Sequence, residues 1–190
     1  MAAAEFARAA SPFEVFGLET AYALDKEALR RRLLRFSRLV HPDFFATQGD
    51  EARRLAEQLS AALNRAHEIL ANDASRADWI VRHLGGPDES SERAMPQAFL
   101  MEVLEWNEAL EAARAAPVGS PERATIERLA GELESRRRAL FEGIARQLAP
   151  LPAEKSAPLA ALRKELNAAR YLDKNLAEIA ALRVTQALSQ

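Results

Sequence analysis

Two groups of residues in this 190-residue chain have types and spacings suited to acting on another molecule. The first is the tripeptide His41-Pro42-Asp43, preceded by Arg31, Arg35 and Arg38. An imidazole and a carboxylate two residues apart on a proline-held turn offer short polar contacts. Arginines three and four residues apart share one stripe of a helix, where they steer an acidic partner and form charge-assisted hydrogen bonds with it. The same residues also fit a solvated helix face that ends in an ordinary turn. The second group is Leu100, Met101 and Leu104 beside Glu105, Glu108 and Glu111. On a helix these make an apolar patch rimmed by acids. Such a patch is surplus to a helix that already has one core face and reads as a protein-binding site, unless neighbouring helices wrap far enough to cover it.

Other chemistries are disfavoured. The chain has no cysteine, which removes thiolate nucleophiles, disulfides and cysteine-ligated metals. The three histidines, His41, His67 and His83, are scattered, so no zinc site is expected. Glu105 and Glu108 have no nucleophile, metal set or phosphate loop beside them, so the chain is not expected to be an enzyme and no cofactor is implied. With 26 basic and 28 acidic side chains the net charge is -2, which makes no case for a general nucleic-acid binder. No apolar run approaches the roughly 20 residues that span a bilayer. The stretch Met1 to Ala10 contains Glu5 and lacks the basic-then-apolar order of a secretory signal. A cytoplasmic protein is expected, with the mitochondrial matrix as the alternative location.

The elements that must position these groups are helices throughout. Ser11-Pro12 opens a short segment, Phe13 to Leu18. Asp25 suits the N-cap of a helix that ends near Val40, where His41-Pro42 stops it. Further helices are expected from about Asp50 to Leu70 and from Ser75 to Leu84. On the first of the longer helices Leu29, Leu33, Phe36 and Val40 form an apolar stripe. Leu55, Leu59, Ala62, Ala66 and Ile69 offer it a partner, so the two pack antiparallel. Gly85-Gly86-Pro87, followed by a charged and serine-rich stretch, reads as a domain boundary. Three helices follow, at about 96–115, 120–149 and 156–188. Ser120-Pro121 caps the middle one. Their core stripes are Phe99, Val103, Trp106 and Leu110; Ile126, Leu133, Leu140, Ile144 and Leu148; and Leu162, Leu166, Ala169 and Leu176. Tyr171 lies on the opposite side of the last helix from Leu162 and Leu166, as a contact residue or an ordinary surface one.

In its first half the chain resembles the J-domain family. The likeness rests on Phe13-Glu14-Val15-Phe16-Gly17-Leu18, the basic helix, His41-Pro42-Asp43 and Asn64-Arg65-Ala66-His67-Glu68-Ile69-Leu70, in that order and spacing. The resemblance implies that His41, Pro42 and Asp43 trigger ATP hydrolysis in an Hsp70-class chaperone, with Arg31, Arg35 and Arg38 docking on it. Many J domains place a lysine or arginine directly after the tripeptide, whereas this chain has Phe44-Phe45. A basic contact at that place is therefore in doubt, and Phe44 is expected to be the exposed one of the pair.

Ala98-Phe99-Leu100-Met101-Glu102 and Tyr171-Leu172-Asp173-Lys174 extend the likeness to the HscB/Jac-type J proteins of iron–sulfur cluster assembly. That resemblance implies an all-α fold: a J domain over 1–84, a linker over 85–95, and a three-helix client-binding domain over 96–190. It implies two partners, an HscA-type Hsp70 chaperone and an IscU-type scaffold protein. Leu100, Met101, Leu104, Glu105, Glu108 and Tyr171 would form the scaffold-binding surface. Neither nucleic acid nor a membrane is expected as a partner. A J protein for a different client, or a helical adaptor unrelated to chaperones, is the alternative.

Overall fold

The computed structural model describes residues 11–45, 49–95, 97–117 and 119–187, and among these there is helix and loop but no strand. The chain divides into two compact units, one up to Ile80 and one from Val81 onward.

In the N-terminal unit, α1 is a single turn, Pro12–Val15, closed by a reciprocal cap: the Ser11 hydroxyl accepts from the Glu14 amide and the Glu14 carboxylate accepts from the Ser11 amide. This turn carries Phe13 and Phe16 into the core, both with no exposed surface. Phe13 meets Trp79 with ring centroids 5.4 Å apart, and Phe16 stacks on Phe36 at 6.1 Å. Helix α2, Lys26–Leu39, starts where Asp25 accepts from the Ala28 amide at 2.9 Å, and Glu27 sits at its positive end. After Val40 the chain turns through a 3-10 helix, Pro42–Phe45. Helix α3, Asp50–Ala71, then packs against α1, α2 and the 3-10 turn. Three neighbours rather than one change which of its residues are buried. Ala56, Ala62, Leu63, Ala66 and Leu70 fill the core, whereas Leu55, Leu59 and Ile69 are only half-buried.

Helix α4 runs Asp73–His83, two residues earlier at its start than the sequence pattern indicates, because Asn72 accepts from the Ser75 amide at 3.0 Å and caps it. Arg76 on this helix is 3% exposed and serves the core as a donor. It donates to the Tyr22 carbonyl at 2.8 Å, to the Leu70 carbonyl, and to the Asp73 carboxylate at 2.5 Å. Lys26 reaches the same carboxylate at 2.9 Å, tying the start of α2 to α4. Partial burial pushes the Asp73 carboxyl up, but the hydrogen bonds from Lys26 and Arg76 together outweigh it and hold the group below its ordinary range.

The C-terminal unit is a three-helix bundle: α5, Gln97–Ala115; α6, Pro121–Gln147; and α7, Pro158–Ala187. The expected α5 start at Pro96 and α7 end at 188 lie outside the described residues. Each helix packs on the other two. Val103, Trp106, Leu110, Ala113, Ile126, Leu133, Leu172 and Ile179 make the centre of the core. As the sequence pattern indicates, Ser120 caps α6, with Pro121 at its first helical position.

The stretch 85–95, expected as a linker, belongs by its contacts to this unit and is held along α7. The Lys155 amide donates to the Leu84 carbonyl at 2.7 Å, and the buried Arg163 donates to the Pro87 carbonyl at 3.1 Å. Asn167 donates to the Glu92 and Ala94 carbonyls at 2.9 and 3.2 Å. Gly86 sits so close that a Cβ there would lie 2.8 Å from Leu159 Cβ and from Val81 Cγ1. Asp88 accepts from the Ser90 hydroxyl and the Ser91 amide, which together bring its carboxyl down to about 2. Among the described residues no helix is long and apolar enough to cross a membrane.

Candidate functional site

The candidate residues fall on two surfaces, one in each unit. In the N-terminal unit the tripeptide lies at the end of α2, outside the core. Proline ends the helix and opens the 3-10 turn, which leaves the His41 side chain 54% and the Asp43 side chain 87% exposed. The turn is locally self-bonded. The Asp43 amide donates to His41 Nδ1 at 3.3 Å, and the Phe44 amide donates to the His41 carbonyl at 3.1 Å. The Asp43 carboxylate also approaches His41 Nδ1, at 3.5 Å. Phe44 is exposed, meeting the His41 ring edge-on with centroids 6.0 Å apart, and Phe45 is half-buried.

Arg31, Arg35 and Arg38 are all exposed on α2. Arg31 approaches only Asp25, at 3.9 Å, while Arg35 and Arg38 have no ion-pair partner among the described residues. Arg32 behaves differently. It follows Leu29 by three residues and precedes Phe36 by four, so it lies near the core face, and its Nη1 donates to the Phe16 carbonyl at 2.7 Å and to the Gly17 carbonyl at 3.3 Å. One arginine of the cluster thus anchors α1, and the others face solvent.

In the C-terminal unit one face of α5 enters the core through Val103, Trp106 and Leu110. The opposite face keeps Leu100, Met101 and Leu104 at 47%, 63% and 53% exposure, so the bundle does not wrap over them. Glu105 and Glu108 stand exposed on that same face, without an ion-pair partner among the described residues. Two other acids of α5 are occupied: Glu102 pairs with Arg136 of α6, and Glu111 with Arg114. Tyr171 is on α7 and is 39% exposed. It lines a cavity of about 380 Å³ together with Glu89, Ser90, Arg93, Asn167 and Arg170. Among the described residues no cluster of histidines and acids is fit to hold a metal ion.

A family model described as the HSCB C-terminal oligomerisation domain matches residues 95–180. The co-chaperone HscB homologue of Burkholderia thailandensis is 39% identical over 132 residues, which is 68% of this chain and 72% of that protein. The chain belongs to the HscB family of co-chaperones. The HscB homologue of Paraburkholderia xenovorans is 40% identical over 108 residues, and the chain spans 61% of that relative's length. The fold agrees over nearly the whole HscB molecule. The structure of the Vibrio cholerae chaperone HscB superposes with a TM-score of 0.77 at 25% identity, covering 94% of this chain and 99% of that one. The human co-chaperone HscB shares the fold with a TM-score of 0.79 at 20% identity, covering 93% and 84%.

Sequence reading passed over several residues that the HscB fold puts at or beside these surfaces. Arg93 and Arg170 line the cavity next to Tyr171, and the only signal for them was proximity in sequence to Tyr171 and to the 85–95 stretch. Leu34 and Leu39, which fall outside the apolar stripe of Leu29, Leu33, Phe36 and Val40, are exposed on the arginine side of α2.

Proposed function

We propose that this HscB-family chain couples two protein partners. His41, Pro42 and Asp43 trigger ATP hydrolysis in an HscA-type Hsp70 chaperone, on which Arg31, Arg35 and Arg38 dock. Leu100, Met101, Leu104, Glu105, Glu108 and Tyr171 hold an IscU-type scaffold protein. The chain supplies no reacting group: ATP and the residues that hydrolyse it belong to the chaperone. Binding both proteins raises the concentration of the scaffold at the chaperone, whose closure on the scaffold promotes release of the iron–sulfur cluster to acceptor proteins.

The observation that carries this reading is the exposure of both surfaces in a fully folded chain. Apolar and charged side chains that fold without partners are poised to gain them on association. The test is steady-state ATP hydrolysis by the cognate chaperone, with this chain and the scaffold added separately and together. Stimulation by the chain that the scaffold amplifies more than additively is the expected result. Stimulation indifferent to the scaffold would reassign the C-terminal surface to another client, and a folded chain without any effect would refute the chaperone assignment.

A further inference from the structure

Helix α2 presents more than arginines to solvent. Among the described residues of the N-terminal unit, the exposed large hydrophobic side chains are Leu34, Leu39 and Phe44, at 55%, 63% and 66%. All three lie on α2 or just beyond its end. At 100° per residue Arg38, Arg31 and Arg35 form the middle of an arc of about 140°, with Leu34 at one edge and Leu39 at the other. The core face, marked by the buried Leu29, points the opposite way. Phe44 extends the apolar surface past the helix end to the His41 ring. The face is therefore an arginine stripe with leucine shoulders.

We infer that Leu34 and Leu39 are docking residues for the same Hsp70-class chaperone, seating in apolar ground on either side of an acidic strip. This rests on the functional reading above and adds to it a source of affinity that salt does not screen. Charge complementarity decides the occupant. A second copy of the chain in a two-fold pairing would bring this arginine stripe against itself, with repulsion where the leucines would gain burial. An acidic partner gains from both. The leucines have a second effect. Long-range attraction from the exposed arginines chiefly raises the association rate, whereas desolvated apolar contacts slow dissociation.

The test uses the full chain and the cognate chaperone in the ATPase assay, titrated at low and at high salt. The double variant Leu34→Gln, Leu39→Gln changes exposed positions only and should keep its melting temperature. Its half-maximal concentration should rise about tenfold, with stimulation at saturation near that of the original chain. At high salt, where the arginines are screened, the original chain should still stimulate and the double variant should not. Leu34→Met with Leu39→Met, which keeps the apolar surface, should titrate within about twofold of the original. An unshifted Gln variant, or a Met variant shifted as far as the Gln variant, would overturn the inference. So would a dimer of the original chain, seen by sedimentation, that the Gln variant dissolves, since that would place a second copy on this face. If the original chain fails to stimulate at all, the functional reading falls first and this inference with it.

Discussion

Replacing Leu100, Met101 and Leu104 together by alanine isolates the C-terminal surface. These side chains are 47%, 63% and 53% exposed, so roughly half of the area of each remains available to a partner. Complete burial of a leucine or methionine contributes roughly 1.5–3 kcal/mol. Burying the remaining half of three such side chains gives about 2–4 kcal/mol for the triple change, after the retained Cβ atoms are discounted. At 1.4 kcal/mol per tenfold, the Kd for the scaffold protein should weaken by roughly 30- to 1,000-fold. Fold stability should hardly change, because the positions contribute little to the core and alanine is the strongest helix former. Titration calorimetry of the variant against the scaffold gives the number, and thermal unfolding confirms that the bundle is intact. Stimulation of the chaperone in the absence of scaffold should stay as it was. A folded variant that binds within about threefold of the original would show that the patch is not the binding surface, whatever its exposure.

Three further outcomes follow from particular contacts. His41→Gln should reduce ATPase stimulation by at least about tenfold while leaving calorimetric scaffold binding unchanged, since its ring is exposed and bonded only within its own turn. Arg76→Met should destabilise the N-terminal unit by about 2–4 kcal/mol in urea unfolding, because it strips donors from the Tyr22 and Leu70 carbonyls inside the core. Asp73→Asn should flatten the acid limb of the stability curve. The folded carboxyl is held below its unfolded value, so the unfolded state binds protons first as pH falls through about 3.9. Stability is lost from there downward, and urea midpoints compared between pH 3 and pH 6 should fall less in the variant than in the original chain.

The helices and the two surfaces were legible because each leaves a periodic trace. Phe99, Val103, Trp106 and Leu110 recur at helical spacing and do face the bundle core, and the surplus apolar residues Leu100, Met101 and Leu104 do stay outside it. Position in an arc decides both outcomes, and an arc can be read from spacing alone. The burial pattern of α3 was less legible. A single antiparallel partner would bury Leu59 and Ile69, but α1 and the 3-10 turn also pack on this helix, and the buried arc moves to Leu63 and Leu70. Nothing in the local sequence announces a one-turn helix as a packing partner.

The polar interior was not legible at all, and for one physical reason. A charged residue in a helical pattern reads as solvent-facing, yet Arg76 and Arg163 are buried, each donating to main-chain carbonyls that lie outside regular helical bonding. Loops leave carbonyls without donors, and a long side chain from a nearby helix is a compact way to satisfy them. The same logic explains the 85–95 stretch. Its glycines, proline and serines are the composition of a free linker, and its backbone is irregular, but Arg163 and Asn167 of α7 supply the donors that fix it, while Gly86 permits the close approach to Leu159. Composition records how easily a segment bends and says nothing about which distant side chain holds it.

The two surfaces also carry opposite local charge, which a net charge of -2 conceals. Arg31, Arg35 and Arg38 run between the exposed leucines of one surface, and Glu105 and Glu108 rim the other. Apolar contact alone discriminates poorly between partners, because any apolar patch gains from covering another. A like-charged rim adds a cost to the wrong encounter and a faster approach to the right one. On the proposed function the chain holds two proteins at once, and such a chain needs that sorting more than it needs tight binding at either surface. On the proposed function, an acidic face of the chaperone would be repelled from Glu105 and Glu108 and drawn to α2. A scaffold seated on the α5 patch as proposed would bring basic groups to its rim, and those same groups would keep it off the arginines. Reversing the α5 rim, with Glu105→Arg and Glu108→Arg, should therefore do more than weaken the scaffold complex. It should make the α5 patch a competing site for an acidic face of the chaperone, visible as a lower plateau of stimulation at saturating variant.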